Sequence, residues 1–267
     1  MCAFDLARFE RHLVAKRWLA REVHFFAACK SSNEEAKHLL DTNPTGPSSL
    51  CIAWEQTGGR GRSARDWWSG PAGSNLAVTL TYRDTRVRPE ILGLLGAVAL
   101  SQSVAWWTGQ PQAVAIKWPN DILLHGAKLC GFLGEQPAAG DGTLLLGFGC
   151  NLAAAPPADL APYPTTCLAD HMPDSQPCPN MEAFLIRWLW DFEAGLRRYV
   201  LRGPSDFEHA FLENLKRWAP HGVQDPRDER QGPLLEFSAS RGLRWGSESN
   251  SEFRPLGWIP TLEPLQP

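Results

Sequence analysis

The sequence predicts an α+β protein, a mixed β-sheet with packed helices, and three observations carry that expectation. Short apolar runs bounded by turn residues recur along the first half, among them Leu50-Cys51-Ile52-Ala53-Trp54 and Leu144-Leu145-Leu146-Gly147-Phe148. Apolar residues at helical spacing mark Met181 to Arg202, where Phe184, Leu185, Trp188, Phe192 and Leu196 share one face. The 267 residues are 43% hydrophobic and 21% charged, close to globular averages, so a packed core is expected rather than disorder.

Each element has its own signal. Asp5 to Ala28 mixes apolar and basic residues and carries a strand-like run, Val23 to Phe26. Asn33 to Leu40 reads as a helix, with Ser32 or Asn33 as cap and Glu34 and Glu35 near the positive end of its dipole. After the turn-rich stretch Asp41 to Ser49, the apolar run Leu50 to Trp54 forms a buried strand leading into a glycine- and arginine-rich loop. Asn75 to Tyr82 alternates as a strand does. Leu92 to Val104 is the richest apolar run, but Gly93, Gly96, Ser101, Gln102 and Ser103 interrupt it before the roughly 20 residues that span a bilayer, so a buried helix is expected.

Val114 to Trp118 is β-prone and stops at the turn signal Pro119-Asn120-Asp121, while Ile122 to Leu124 and Leu129 to Leu133 flank His125-Gly126 as a hairpin. Leu144 to Leu152 adds a strand, and the proline- and alanine-rich stretch Ala153 to Pro179 reads as surface loop. Met181 to Arg202 and Phe207 to Trp218 are helices, the first with Arg197 and Arg198 near its negative end. Beyond Ala219 only Leu234 to Phe237 and Leu243 to Trp245 are strand candidates. The expected division is a main domain over residues 1–218 and a small C-terminal domain or irregular extension over 219–267.

Composition excludes several functions. A net charge of −3 creates no overall field toward nucleic acid or an anionic membrane. Asp5, Arg8 and Glu10 stand where a secretory signal needs an apolar segment, so a cytoplasmic location is expected. Seven scattered cysteines without a Cys-x-x-Cys predict reduced thiols. Neither a P-loop nor a GxGxxG run is present.

Two motifs carry chemistry. Gly59-Arg60-Gly61-Arg62-Ser63-Ala64-Arg65-Asp66-Trp67 sets three arginines and an indole among glycines, which suits a loop that folds over a polyanion, because guanidinium forks grip phosphate oxygens in pairs. Lys117-Trp118-Pro119-Asn120-Asp121 follows, then Lys128-Leu129-Cys130-Gly131. A carboxylate that attacks the α-phosphate of ATP is itself negative, so cations such as Arg60, Arg62, Arg65, Lys117 and Lys128 must offset the repulsion.

In this order the motifs resemble those of the biotin protein ligases, over roughly residues 20 to 200. The resemblance implies the biotin/lipoate ligase catalytic fold and a small SH3-like β domain at the C-terminus. It also implies roles. Lys128 would bridge the biotin carboxylate and the α-phosphate, Lys117 would contact the triphosphate, and Arg62 and Arg65 would hold phosphate oxygens. Arg60 would help close the loop over biotin, Trp67 would stack on adenine, Asn120 would bind nucleotide and Asn151 would read the adenine side. Asp121 would help hold magnesium or orient the incoming lysine. Ser31, Ser32, Asn33 and Gln56, with backbone at Gly59, Arg60 and Gly131, would meet the ureido ring.

The implied reaction makes biotinyl-5′-adenylate from biotin and MgATP, then passes biotin to a lysine of a biotin carboxyl carrier domain, a transient partner. No tightly bound organic cofactor, membrane or DNA enters this scheme, and the chain would act as a monomer or homodimer. A lipoate ligase is the nearest competitor, although the Arg-Arg-x-x-Gly-Gly-Gly run of those enzymes is absent; a biotin-binding protein without activity is another. Ser63 and Ala64 depart from the basic residue and glycine usual at the centre of the loop, and residues 219–267 show little of an SH3-like pattern. There is no room for an amino-terminal winged helix, so DNA binding is not expected.

Overall fold

A computed structural model describes residues 4–13, 20–44, 46–61, 66–83, 86–137, 143–228, 230–247 and 251–266. The expectations for Arg62, Ser63, Ala64 and Arg65 lie outside these residues. Strands β1 (Glu22–Phe26), β2 (Ser49–Ala53), β3 (Leu76–Arg83), β4 (Val114–Lys117), β5 (Asp121–Leu124), β6 (Ala127–Glu135) and β7 (Thr143–Cys150) form a seven-stranded mixed sheet in the order β1-β2-β3-β7-β6-β5-β4. β1 and β2 run parallel, and every other neighbouring pair is antiparallel. The central strands β2 and β7 are buried along their whole length, which is why their sequences read as unbroken apolar runs.

The parallel pair needs a crossover, and helix α2 (Ser32–Thr42) supplies it. Its cap is Ser31 rather than Ser32 or Asn33: the Ser31 hydroxyl accepts from the Asn33 N–H at 3.3 Å. That shift by one residue turns Ser32 and Asn33 inward. Helix α1 (Leu6–Leu13), which the sequence reading did not anticipate, precedes β1 and buries Phe9.

Helix α3 (Pro89–Thr108) is longer than the expected Leu92 to Val104, starting at a proline and stopping at Gly109, whose φ is 68°. By length and composition it matches a membrane span, but 72% of its most apolar stretch is buried inside the protein. Gly96 lets it settle on the sheet, since a Cβ there would lie 2.9 Å from Leu146 Cδ2. Helix α4 (Met181–Arg202) packs on α3, with the Trp188 indole donating to the Gly96 carbonyl at 3.3 Å, and α5 (Ser205–Trp218) lies beside β4.

The tail is folded, not irregular. Strands β8 (Val223–Gln224), β9 (Gln231–Gly232) and β12 (Glu263–Pro264) form one small sheet, and β10 (Leu234–Ser238) pairs with β11 (Gly242–Trp245) in another. Both expected strand candidates fall in that second pair. Phe237 packs on Phe211 of α5 with ring centroids 4.6 Å apart, and the Trp118 indole donates to the Ile259 carbonyl at 2.8 Å. One apolar core therefore runs from Phe9 to Leu262.

Asp225 anchors the tail. Its side chain is fully buried and accepts from Arg227 Nη2 at 2.6 Å and Arg254 Nη1 at 3.3 Å. The Arg227 hydrogen bonds hold its carboxyl below the usual range. A depressed carboxylate stabilises the fold above its unfolded value and loses that contribution as pH falls through the folded one. Asp225→Asn is expected to cost about 2 kcal/mol at neutral pH. In urea titrations the difference from the parent should shrink below about pH 4; a pH-independent difference would point to packing instead.

Candidate active site

The site is built on glycines. Along β7, Leu146 and Phe148 face the helical layer, where Phe148 meets Trp188 at 4.6 Å, so Gly147 and Gly149 face the opposite side. A Cβ on Gly147 would lie 2.2 Å from Asn33 Oδ1, and one on Gly149 would lie 2.3 Å from the Trp67 ring. Over this flat floor opens a cleft of about 370 Å³.

One end is neutral and polar. The Ser32 N–H donates to Gln56 Oε1 at 2.8 Å, and Gln56 Nε2 donates to Ser69 Oγ at 3.3 Å. The Ser32 hydroxyl lies 2.9 Å from that of Thr79, which donates to Asn33 Oδ1, and Asn33 Nδ2 donates to Glu135 Oε2 at 3.4 Å. Lys37 pairs with Glu135 at 2.6 Å. This network fixes the rotamers of Ser32, Asn33 and Gln56 before any ligand arrives.

The other end is cationic. Lys128 Nζ lies 2.8 Å from Asp121 Oδ1, with only 15% and 18% of the two side chains exposed. Lys128 reaches Asp121 because β5 and β6 pair across a bulge between Ile122 and Leu123. The Tyr163 ring faces both lysines, 5.8 Å from Lys117 Nζ and 5.1 Å from Lys128 Nζ, and its hydroxyl is 3.4 Å from the latter. Between the ends lies Trp67. Its indole rests on Gly149 and Gly131, 5.7 Å from Lys128 Nζ, and its N–H is buried without a hydrogen-bond partner among the described residues.

The loop that carries the arginines has a fixed base. Arg60 bridges Asp66, and the Trp67 N–H donates to the Gly59 carbonyl at 2.9 Å. Ser31, Ser32, Asn33, Gln56, Arg60, Trp67, Lys117, Asn120, Asp121, Lys128 and Gly131 all line the cleft. Gly59 does not line it; it is buried beside Gln56, where a side chain would collide with Gln56 Nε2 at 2.9 Å.

Two expected contacts take another form. Asn120 stands at the cleft, but its amide donates to the Phe132 carbonyl and so holds the strand. Asn151 is 2% exposed, outside the cleft wall, with Nδ2 donating to the Thr166 carbonyl at 3.1 Å. Its Oδ1 is buried without a hydrogen-bond partner among the described residues. Tyr163, Thr79, Glu135, Pro260 and Thr261 escaped the sequence reading. Tyr163 had one available signal, as the lone aromatic in a proline- and alanine-rich stretch.

A preset polar pocket thus faces a pair of lysines across one cleft, with Arg60 in its wall. Residues 26–148 match the model of the biotin/lipoate A/B protein ligase family. A biotin--[acetyl-CoA-carboxylase] ligase of Paracoccus denitrificans is 39% identical over 136 residues, 49% of this chain and 55% of that protein. Its counterpart in Mycobacterium tuberculosis is 34% identical over 152 residues, 52% of this chain and 54% of that protein. The chain thus spans about half the length of these relatives. The biotin protein ligase of Aquifex aeolicus, solved with biotin and ATP, matches in fold with a TM-score of 0.74 at 19% identity, over 92% of this chain and 100% of that one.

Proposed function

We propose that this protein is a biotin protein ligase that forms biotinyl-5′-adenylate from biotin and ATP and transfers the biotin to a lysine of a biotin carboxyl carrier domain. The single observation that carries this reading is the juxtaposition, in one cleft, of the Ser32–Asn33–Gln56 network with the Lys117, Lys128 and Asp121 group. A ureido ring has two N–H donors and one carbonyl acceptor, which match the hydroxyl and amide groups at the neutral end. A dithiolane ring offers no such partners, so the same pocket disfavours lipoate.

In this mechanism Asp121 holds the Lys128 ammonium until the substrate oxygens compete for it. Lys128 then lies between the biotin carboxylate and the α-phosphate, offsets their repulsion and follows the negative charge as pyrophosphate leaves. Lys117, on the adjacent strand, meets the remaining phosphates. The acceptor amine next attacks the mixed anhydride, giving an amide and AMP, and Asp121 is placed to orient it. Asp121 is the carboxylate that would help hold a magnesium ion brought by ATP, and that ion would offset phosphate charge. Trp67 and the loop rooted at Arg60 and Asp66 cover the adenylate from water, with Arg62 and Arg65 as the loop's phosphate ligands and Asn151 as an indirect support of the nucleotide side. We also read residues 1–218 as the catalytic unit and 219–267 as a small β unit docked on it. On this reading the protein works in the cytoplasm, as a monomer or homodimer, and meets its carrier transiently.

The test is to combine protein, MgATP, radiolabelled biotin and a biotin carboxyl carrier domain and to follow label in the carrier. ATP-dependent transfer is expected. Biotin held without pyrophosphate release would instead identify a binding protein, and activation of lipoate in preference to biotin would identify a lipoate ligase. A finer prediction concerns the floor: Gly147→Ala pushes a methyl group into Asn33. Calorimetry should show biotin affinity falling about tenfold or more, equivalent to about 1.4 kcal/mol, while ATP affinity changes little.

A further inference from the structure

His125 occupies a backbone position that most side chains avoid. Its φ is 50°, and it is the one non-glycine residue with positive φ among the described residues. With Gly126 at φ 79° it makes the tight β5–β6 turn, a place where asparagine or glycine is the usual choice. An imidazole there has a partner. The ring stacks on that of His171, with centroids 5.1 Å apart and planes 23° apart.

Gln110 ties the pair together. His125 Nε2 lies 2.6 Å from Gln110 Oε1, and Gln110 Nε2 donates to the His171 carbonyl at 3.3 Å. His171 Nε2 is 2.7 Å from the Thr166 hydroxyl. The Thr166 N–H donates to the Lys128 carbonyl at 3.0 Å, and the Lys128 N–H donates to the Pro164 carbonyl at 2.8 Å. Residues 163–171 are thus fastened to β6 at Lys128 itself, and Tyr163 at the head of this segment covers the Lys128 ammonium.

We propose that His125 and His171 are positioning residues for the cationic end of the cleft: neutral and stacked, they clamp residues 163–171, and Tyr163 with them, against Lys128; protonated, they repel and release the segment. The proposal rests on the reading of Lys128 as the adenylating lysine. His125 is exposed and His171 half-buried, and two imidazolium charges at this spacing repel, screened in part by water on the His125 side. Burial and His125 pull the His171 pKa down against the opposing pull of Asp170. His125 also borders a second cavity shared with Lys117, Lys128 and Arg217, whose charges oppose another cation, and with Asp121, which is already paired. A depressed histidine favours the fold when neutral. The clamp is therefore complete above the ordinary value of about 6.5 and is lost as pH falls through the lower folded value.

The test compares the parent with His125→Asn, which tolerates positive φ and keeps a side-chain donor near Gln110 but carries no charge. Hydrogen exchange over residues 163–171, corrected for intrinsic rates, is measured near pH 7.5 and pH 5.5. Protection in the parent should fall about tenfold on acidification and by less than about twofold in the variant. In parallel, the KM for ATP in adenylate formation should rise on acidification more in the parent than in the variant; titration of ATP itself is common to both. Equal pH responses in exchange would overturn the proposal. A parent that makes no adenylate at any pH would sink the functional reading, while the exchange result still decides the clamp. If His125→Asn does not fold, His171→Gln, which preserves a bond to Thr166, takes its place in the same comparison.

Discussion

Lys128→Ala is expected to slow biotinyl-adenylate formation by about 100- to 1,000-fold, the scale for removing one preorganised group that stabilises developing charge. The ammonium is fixed by Asp121 at 2.8 Å, by the Tyr163 face and by the backbone bonds of Lys128 to Pro164 and Thr166, so little reorganisation precedes its use. Lys117 lies on β4, where its backbone stands opposite Asp121, whereas the ion pair of Asp121 is with Lys128. The loss should appear in single-turnover pyrophosphate release with biotin saturating. Biotin affinity without ATP should change far less, because the neutral end is assembled from α2, Gln56 and Thr79. Parental rates from a folded Lys128→Ala protein would remove the residue from the mechanism.

Trp188→Ala is expected to destabilise the protein by about 3–5 kcal/mol, a large share of the roughly 5–15 kcal/mol typical of a folded domain. The indole is fully buried, contacts Phe148 at 4.6 Å and Phe192 at 5.3 Å, and donates to the Gly96 carbonyl at 3.3 Å. Its removal opens a cavity where α3, α4 and β7 meet, directly behind the strand that carries Gly147 and Gly149. Urea unfolding measures the loss, and Trp188→Phe, which keeps the ring but drops the donor, should recover more than half of it. A cost below about 1 kcal/mol for the alanine variant would mean that the helices close the gap on their own.

The site was legible to the extent that its chemistry is local in sequence. Lys117, Asn120, Asp121, Lys128 and Gly131 fall on three consecutive strands and their turns, so their nearness was visible in the sequence, although the shared face was not. The loop base at Gly59 to Arg60 and Asp66 to Trp67 follows a buried strand, and glycine and arginine announce it. Asn151 shows where such reading stops: an asparagine at the end of a strand can point toward a ligand or brace the neighbouring segment, and its bond to the Thr166 carbonyl comes from packing that the sequence does not display. Tyr163 was hidden for the same reason, since a proline-rich stretch has no periodicity from which to infer where it lies.

The tail makes the contrast sharper. Of the five tail strands among the described residues, three have two residues each, too short for any pattern, and they persist because Phe237 meets Phe211, Trp118 meets Ile259 and Asp225 joins its neighbour Arg227 to the distant Arg254. By itself the sequence determined the strands of the large sheet and helices α2 to α5, though not α1, because unbroken apolar runs and helical spacing are properties of neighbouring residues. It also determined the chemical character of the cleft, because the lysines and arginines are clustered along the chain. Tertiary structure alone decided the parallel pairing of β1 with β2, the contact of Lys128 with Asp121, the seat of Tyr163 and the stacking of His125 on His171. Those depend on bulges, crossovers and long-range packing, whose energies arise between residues that carry no local signal of each other.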